Sequence, residues 1–216
     1  MFDVIIRFFQ EGGAFMLPIA IVLVIGLAIA LERAIYLFNV SRQNTKSLNT
    51  IQPLLHKSEF DAICRIDDGS ATTSILTAGI SRAMQIDCRD EIESAMEERT
   101  LAAIPAIEKR TGYLSTLANI STLLGLLGTI IGLIAAFSAV ATAAPSEKAA
   151  LLSQSISVAM NTTAFGLIAA IPLLLCHSIL QTKTAEVIDK LEMVGVRLIN
   201  IIKQNKIMPS KPLNNN

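Results

Sequence analysis

Charge is scarce in this sequence. Lys, Arg, Asp and Glu make up 17% of its 216 residues against 52% apolar ones, and there is no Trp. That balance is oily for a soluble protein. The 18 basic and 18 acidic side chains cancel, and no nucleic-acid partner is expected. Cys64, Cys88 and Cys176 are far apart and form no CxxC, and His56 and His177 have no companion at metal-ligand spacing. These five read as structural, with the thiols reduced and no metal expected. There is no GxxxxGK[ST] and no Ser/His/Asp arrangement, so neither a phosphate loop nor a catalytic constellation is present. The chain is expected not to be an enzyme and to need no cofactor.

What is there comes in blocks. Gly12–Leu31, Thr111–Ser146 and Ala149–Thr182 hold no charged side chain, over 20, 36 and 34 residues. A helix crossing the bilayer core needs about 20 mostly apolar residues. The sequence therefore predicts an all-α, polytopic membrane protein with three transmembrane helices. Apart from Arg7 and Lys148, every Lys and Arg follows the first run or flanks the same ends of the other two. The positive-inside rule then places the N-terminus periplasmic and the C-terminus cytoplasmic. Ala28-Ile29-Ala30 looks like a signal cleavage site, but Asp3 and Glu11 make a poor signal n-region, and the basic residues that follow favour an anchor.

The expected order is a periplasmic segment over 1–13, with Phe8 and Phe9 at the membrane surface. Transmembrane helix 1 follows over 14–38, closed by a Glu32-Arg33 charged pair and Tyr36. Residues 39–110 form a cytoplasmic helical domain, in which Ile75, Leu76, Gly79, Ile80, Ala83 and Met84 keep helical spacing and Asp67–Ser70 make a turn. Helix 2 covers 111–142, a periplasmic turn around Pro145 covers 143–148, helix 3 covers 149–182, and a cytoplasmic helix and tail cover 183–216. A 36-residue run makes a helix of about 54 Å, and the hydrocarbon core is about 30 Å. Helices 2 and 3 are thus expected to project into the cytoplasm, helix 2 continuous with the charged stretch before it and kinked at Pro105. Val187, Leu191, Val194, Leu198 and Ile201 step by 4, 3, 4 and 3. That spacing fits a short coiled coil or packing on the chain's own cytoplasmic helices.

The apolar runs carry residues that lipid would not select. In GLLGTIIGL, Gly125, Gly128 and Gly132 make one small face with Thr129 among them. Small residues let helix backbones approach closely in lipid, and Gly166 offers the same on the third run. Gly128→Leu is accordingly expected to hold the backbones apart and break the oligomer. In SQSISVAMNTTAFG, from Ser153 to Gly166, Gln154, Ser157 and Asn161 share one face, with Ser155 and Thr162 beside it and Thr163 following. Such groups belong in a protein interior or a watery cavity. The plainer readings are interhelical glue or bonds to the carbonyl four residues back.

LLGLLGTIIGLIAAFS (Leu123–Ser138) and ISVAMNTTAFGLIAAIP (Ile156–Pro172) resemble, in order, the second- and third-span signatures of the ExbB/TolQ/MotA ion-channel stator family. The likeness covers about Ala14–Lys190, and three spans fit ExbB and TolQ better than four-span MotA. The resemblance implies a homopentamer around a single-span ExbD/TolR-like partner with an intramembrane aspartate. It also implies proton-driven work in the bacterial inner membrane, delivered through a TonB-like or TolA-like protein to TonB-dependent transport or the Tol-Pal system. Thr129 and Thr163 match the family's pore threonines, and Thr162 and Ser155 join them as candidate ion ligands. Val158 stands where ExbB and TolQ have a glutamate, and spans 2 and 3 hold no other carboxylate. A sodium-driven stator, a MotA-like motor subunit and a non-conducting structural protein remain as alternatives.

Overall fold

The computed structural model describes residues 13–57, 59–86 and 88–207. The expected periplasmic segment, with Phe8 and Phe9, and the tail from Met208 lie outside these residues, as does the side chain of His56. Among the described residues six helices follow in order: α1 (Met16–His56), α2 (Phe60–Cys64), α3 (Ala71–Gln85), α4 (Arg89–Glu108), α5 (Thr111–Thr142) and α6 (Lys148–Ile207). No strand occurs among the described residues. Three helical stretches are long and apolar enough to cross a membrane. The chain is an all-α, multi-pass membrane protein.

The chain divides into two compact units. The first joins the stretch ending at Arg33 to Arg110–Leu180. Met16, Ile19, Phe165 and Ala169 form its buried cluster, with Ala20, Leu23 and Leu124 packed on it. Its outer surface is as apolar as its interior: Val24 is 66% exposed, Leu123 63%, Phe137 65% and Leu175 60%. Water would not tolerate so much contiguous apolar surface on a monomer. Lipid does, and helices suit it because they satisfy their own backbone groups.

One sequence expectation fails in this unit. The second span does not run on from the charged stretch as one helix kinked at Pro105. Pro105 lies inside α4, and the break falls at Arg110, which takes a left-handed φ of 65°. Side chains hold that break. The Arg110 guanidinium donates to both Glu32 carboxylate oxygens, at 2.8 and 3.0 Å, and His177 Nδ1–H donates to the Thr111 carbonyl at 3.0 Å. Adjacent residues on a helix do not face each other, so Glu32 bonds Arg110 and Arg33 is buried, 2% exposed.

The second unit joins Ala34–Lys109 to the stretch beginning at Gln181. Here α1 continues without a break past the predicted end of the first span. Ile75, Leu76, Gly79 and Ile80 are buried on α3, but Met84 is 56% exposed: the inward face ends one turn early. Val187, Leu191, Val194 and Leu198 are buried within the unit. A Cβ built at Gly79 would lie 2.6 Å from Met96 Sδ and 2.8 Å from Leu198 Cδ2. Glycine is what lets α3, α4 and α6 meet there, and the heptad-like seam packs on the chain's own helices.

The loop before α3 is stitched to α1. Gln43 Nε2 donates to the Asp68 carbonyl at 2.7 Å. The Asp68 carboxylate accepts from the Ser47 hydroxyl and from Ser70 N at 3.0 Å. Gly69 supplies the φ of 68° the turn requires, and Ser70 caps α3 by accepting from Thr73 N at 3.1 Å. Burial pushes the Asp68 carboxyl up, but the hydrogen bonds, Ser47 first, outweigh it and bring its pKa from 3.8 to about 2. A lowered folded pKa gives stability that is full above the unfolded value and lost as pH falls through about 2. Asp68→Ala should therefore lower the thermal midpoint at pH 7, and the gap from wild type should close between pH 4 and pH 2. The carboxylate is solvent-exposed, so its contribution is at most about 1 kcal/mol. A gap that stays constant over that range would show that its charge does not act.

Candidate functional site

α5 and α6 approach most closely at a pair of glycines. A Cβ on Gly166 would lie 2.8 Å from the Ser121 carbonyl oxygen and 3.0 Å from Gly125 Cα. One on Gly125 would lie 3.3 Å from both Gly166 Cα and Thr163 Cα. Gly128 faces the Thr162 methyl, and a Cβ on Gly132 would lie 2.9 Å from Ala159 Cβ. The small face thus packs against α6 of the same chain. This corrects the expected first effect of Gly128→Leu: it would disturb the protomer's own fold before any contact between copies.

The close approach creates a polar cluster. Thr129 follows Gly125 by one helical turn, and its hydroxyl donates to the Gly125 carbonyl at 3.1 Å. Thr163 reaches across from α6 to the same carbonyl at 2.9 Å, and the two hydroxyls touch each other. Both threonines are half-buried. Three oxygens converge with only two hydroxyl protons, both directed into the cluster. What remains available is lone pairs. Such a site is acceptor-rich and suits a cation, a hydrated proton or a protonated carboxyl group.

The other predicted residues stand apart from this pair. The Thr162 side chain is buried against Gly128, and its hydroxyl donates to the Val158 carbonyl at 2.9 Å, the bond to the preceding turn. Ser155 is half-buried, eight residues before Thr163, about 12 Å of helix rise away. Val158 is half-buried, its Cγ1 3.2 Å from where a Cβ on Gly13 would stand. Gln154 and Ser157 face out of the unit and Asn161 is half-buried. No group of three or more His, Cys, Asp or Glu able to hold a metal occurs among the described residues.

Sequence reasoning missed Ser121. It is fully buried and its hydroxyl has no hydrogen-bond partner among the described residues. The signal was present, because Ser121 precedes Gly125 by four residues and extends the Gly125–Gly128–Gly132 stripe by one turn. The Glu32–Arg110 and Thr111–His177 contacts were missed for another reason. They join residues 78 and 66 positions apart, and no local pattern encodes such pairs.

Comparison with known proteins agrees with this architecture. Residues 66–193 match the model of the MotA/TolQ/ExbB proton channel family. The chain is 29% identical over 197 residues to a biopolymer transport protein ExbB homologue of Methanothermobacter thermautotrophicus, covering 89% of this chain and 68% of that protein. It is 24% identical over 174 residues to biopolymer transport protein ExbB-like 3 of a Synechocystis species, covering 80% and 83%. It is 32% identical over 105 residues to the Tol-Pal system protein TolQ of Haemophilus influenzae, covering 49% and 40%.

Proposed function

The chain belongs to the MotA/TolQ/ExbB proton channel family, and from that premise we propose that it is the stator subunit of a proton-driven machine in the bacterial inner membrane. Its N-terminus lies in the periplasm and its C-terminus in the cytoplasm. It catalyses no reaction and forms a homo-oligomer, a pentamer, around an ExbD/TolR-like single-span protein with an intramembrane aspartate. The work serves TonB-dependent outer-membrane transport or Tol-Pal-type envelope maintenance, the partner's periplasmic part selecting which. The observation that carries this reading is the Gly125–Thr129–Thr163 oxygen cluster. It lies where two spans touch, in a unit whose surface is otherwise apolar. An ionisable partner side chain beside it would find acceptors when protonated, and hydroxyls that can turn to donate when it is charged.

One observation favours sodium as a second reading. The cluster offers three oxygens, the donor type a hard cation prefers, and valine replaces the carboxylate at position 158. Flux through the complex reconstituted in liposomes decides between the two. A proton channel should acidify the lumen without sodium and tolerate Val158→Glu. Flux that requires sodium, and that Val158→Glu stops or redirects, would establish the sodium stator. No flux of either ion from an intact complex would overturn both readings and leave an assembly protein.

A further inference from the structure

Between the threonine pair and Thr111, one flank of α5 carries polar side chains. Ser115, Thr122 and Thr129 recur every seven residues and are each half-buried, and Asn119 stands exposed between the first two. Repeats of this length keep one face of a helix. In the series 111, 115, 119, 122, 126 and 129 only Leu126 is apolar. From Thr111 to Thr129 is 18 residues, about 27 Å of helix. Beyond Thr129 the same flank is apolar, with Leu133, Ala136 and Val140. The track therefore runs one way, toward the end that carries Arg110.

Two α6 side chains mark its ends. Thr163 donates to the Gly125 carbonyl at 2.9 Å, and His177 donates to the Thr111 carbonyl at 3.0 Å. Both the donors and the acceptors are fourteen residues apart on their helix, so the same faces of α5 and α6 meet at both levels. A carbonyl only accepts, so Nδ1 carries the ring proton of His177 and Nε2 keeps a lone pair. Nε2 has no hydrogen-bond partner among the described residues. The charged groups beside this end are Arg110 and Glu32, paired with each other at 2.8 Å.

The side chains of the track are not spent on the chain itself. Thr122 turns back to the Ala118 carbonyl at 3.2 Å, but Ser115 and Asn119 have no hydrogen-bond partner among the described residues. Lipid would leave both unpaired at membrane depth, and water would not. The titratable side chains of the two charge-free runs are Tyr113, Cys176 and His177. Imidazole is the one most often used to take up and pass on a proton.

We infer that this flank of α5 is the wetted route by which protons leave the Thr129–Thr163 cluster, and that His177 takes them up at its inner end. The Nε2 lone pair accepts a proton from the water on the track. The imidazolium keeps its Nδ1–H bond to the Thr111 carbonyl and releases the Nε2 proton to cytoplasmic water. The inference rests on the proton-channel reading above and extends it from the cluster to the cytoplasmic side.

Two measurements test it. The first is thiol labelling of the full-length chain, in a Cys64→Ala, Cys88→Ala and Cys176→Ala background, in inside-out vesicles that hold the assembled complex. Ser115→Cys and Thr122→Cys should react with a charged thiol reagent at least about tenfold faster than Leu123→Cys, because apolar surroundings suppress the reactive thiolate. The second is flux through the reconstituted complex. His177→Asn keeps a donor at the Nδ1 position and removes Nε2. It should cut proton flux roughly a hundredfold, the lower range for losing a positioned proton-transfer group, with the oligomer mass and thermal midpoint of wild type. If Ser115→Cys and Thr122→Cys are as slow as Leu123→Cys, lipid or another helix covers the flank and the route is overturned. Wild-type flux from an intact His177→Asn complex overturns it as well. A wild-type complex that moves no protons would remove the channel reading itself, whereas a conducting wild type with a dry flank removes the route alone.

Discussion

A chain carrying both Thr129→Val and Thr163→Val should fold and assemble as the wild type does and lose most of its ion flux. Valine keeps the branched shape and removes the hydroxyl. The structural cost is small. The Gly125 carbonyl loses two side-chain donors, and interhelical hydrogen bonds in membranes average only about 0.6 kcal/mol. The functional cost is much larger if the pair stands beside a partner carboxylate, because a charge at membrane depth costs about 2.5–3.5 kcal/mol even on lenient scales. Leaving half of that unscreened would slow passage roughly tenfold. The measurement is flux through the reconstituted complex, with oligomer mass and partner retention checked on the same sample. Wild-type flux from an intact doubly substituted complex would take both threonines out of the path. Their cluster would then be helix–helix glue.

Gly166→Ala should be among the most damaging single-methyl additions available in the membrane unit. The new Cβ would meet backbone on α5, at 2.8 Å from the Ser121 carbonyl oxygen and 3.0 Å from Gly125 Cα. Backbone cannot turn aside as a flexible side chain would, so the two helices must separate. Overpacking of this kind costs about 1–3 kcal/mol. Separation would also pull Thr163 away from the Gly125 carbonyl, so flux should fall together with stability. Gly112→Ala is the control, because nothing lies within 4 Å of its added Cβ. Thermal melts of the two variants in detergent make the comparison. A Gly166→Ala protein that melts with Gly112→Ala and wild type would show that α5 and α6 are not held this close.

The two substitutions separate effects that a deletion would merge. Thr→Val removes chemistry from an unchanged contact, whereas Gly→Ala changes the contact and carries the chemistry with it. Both act within one protomer.

The sequence by itself determined the all-α class, the three apolar helices and the small face on the second of them. Each follows from periodicity or run length over neighbouring residues, and lipid enforces those rules strictly because it supplies no hydrogen bonds. It also determined that Thr129 and Thr163 were the residues to watch, through the two span signatures. Tertiary structure decided which helix the glycine face meets, since a small stripe says that something comes close but not whether it is the same chain. It decided that the chain breaks at Arg110, because a left-handed residue there depends on a carboxylate 78 positions away. It set Thr162 and Ser155 apart from the threonine pair, because a helix turns 100° per residue and only the crossing point selects the side chains that meet.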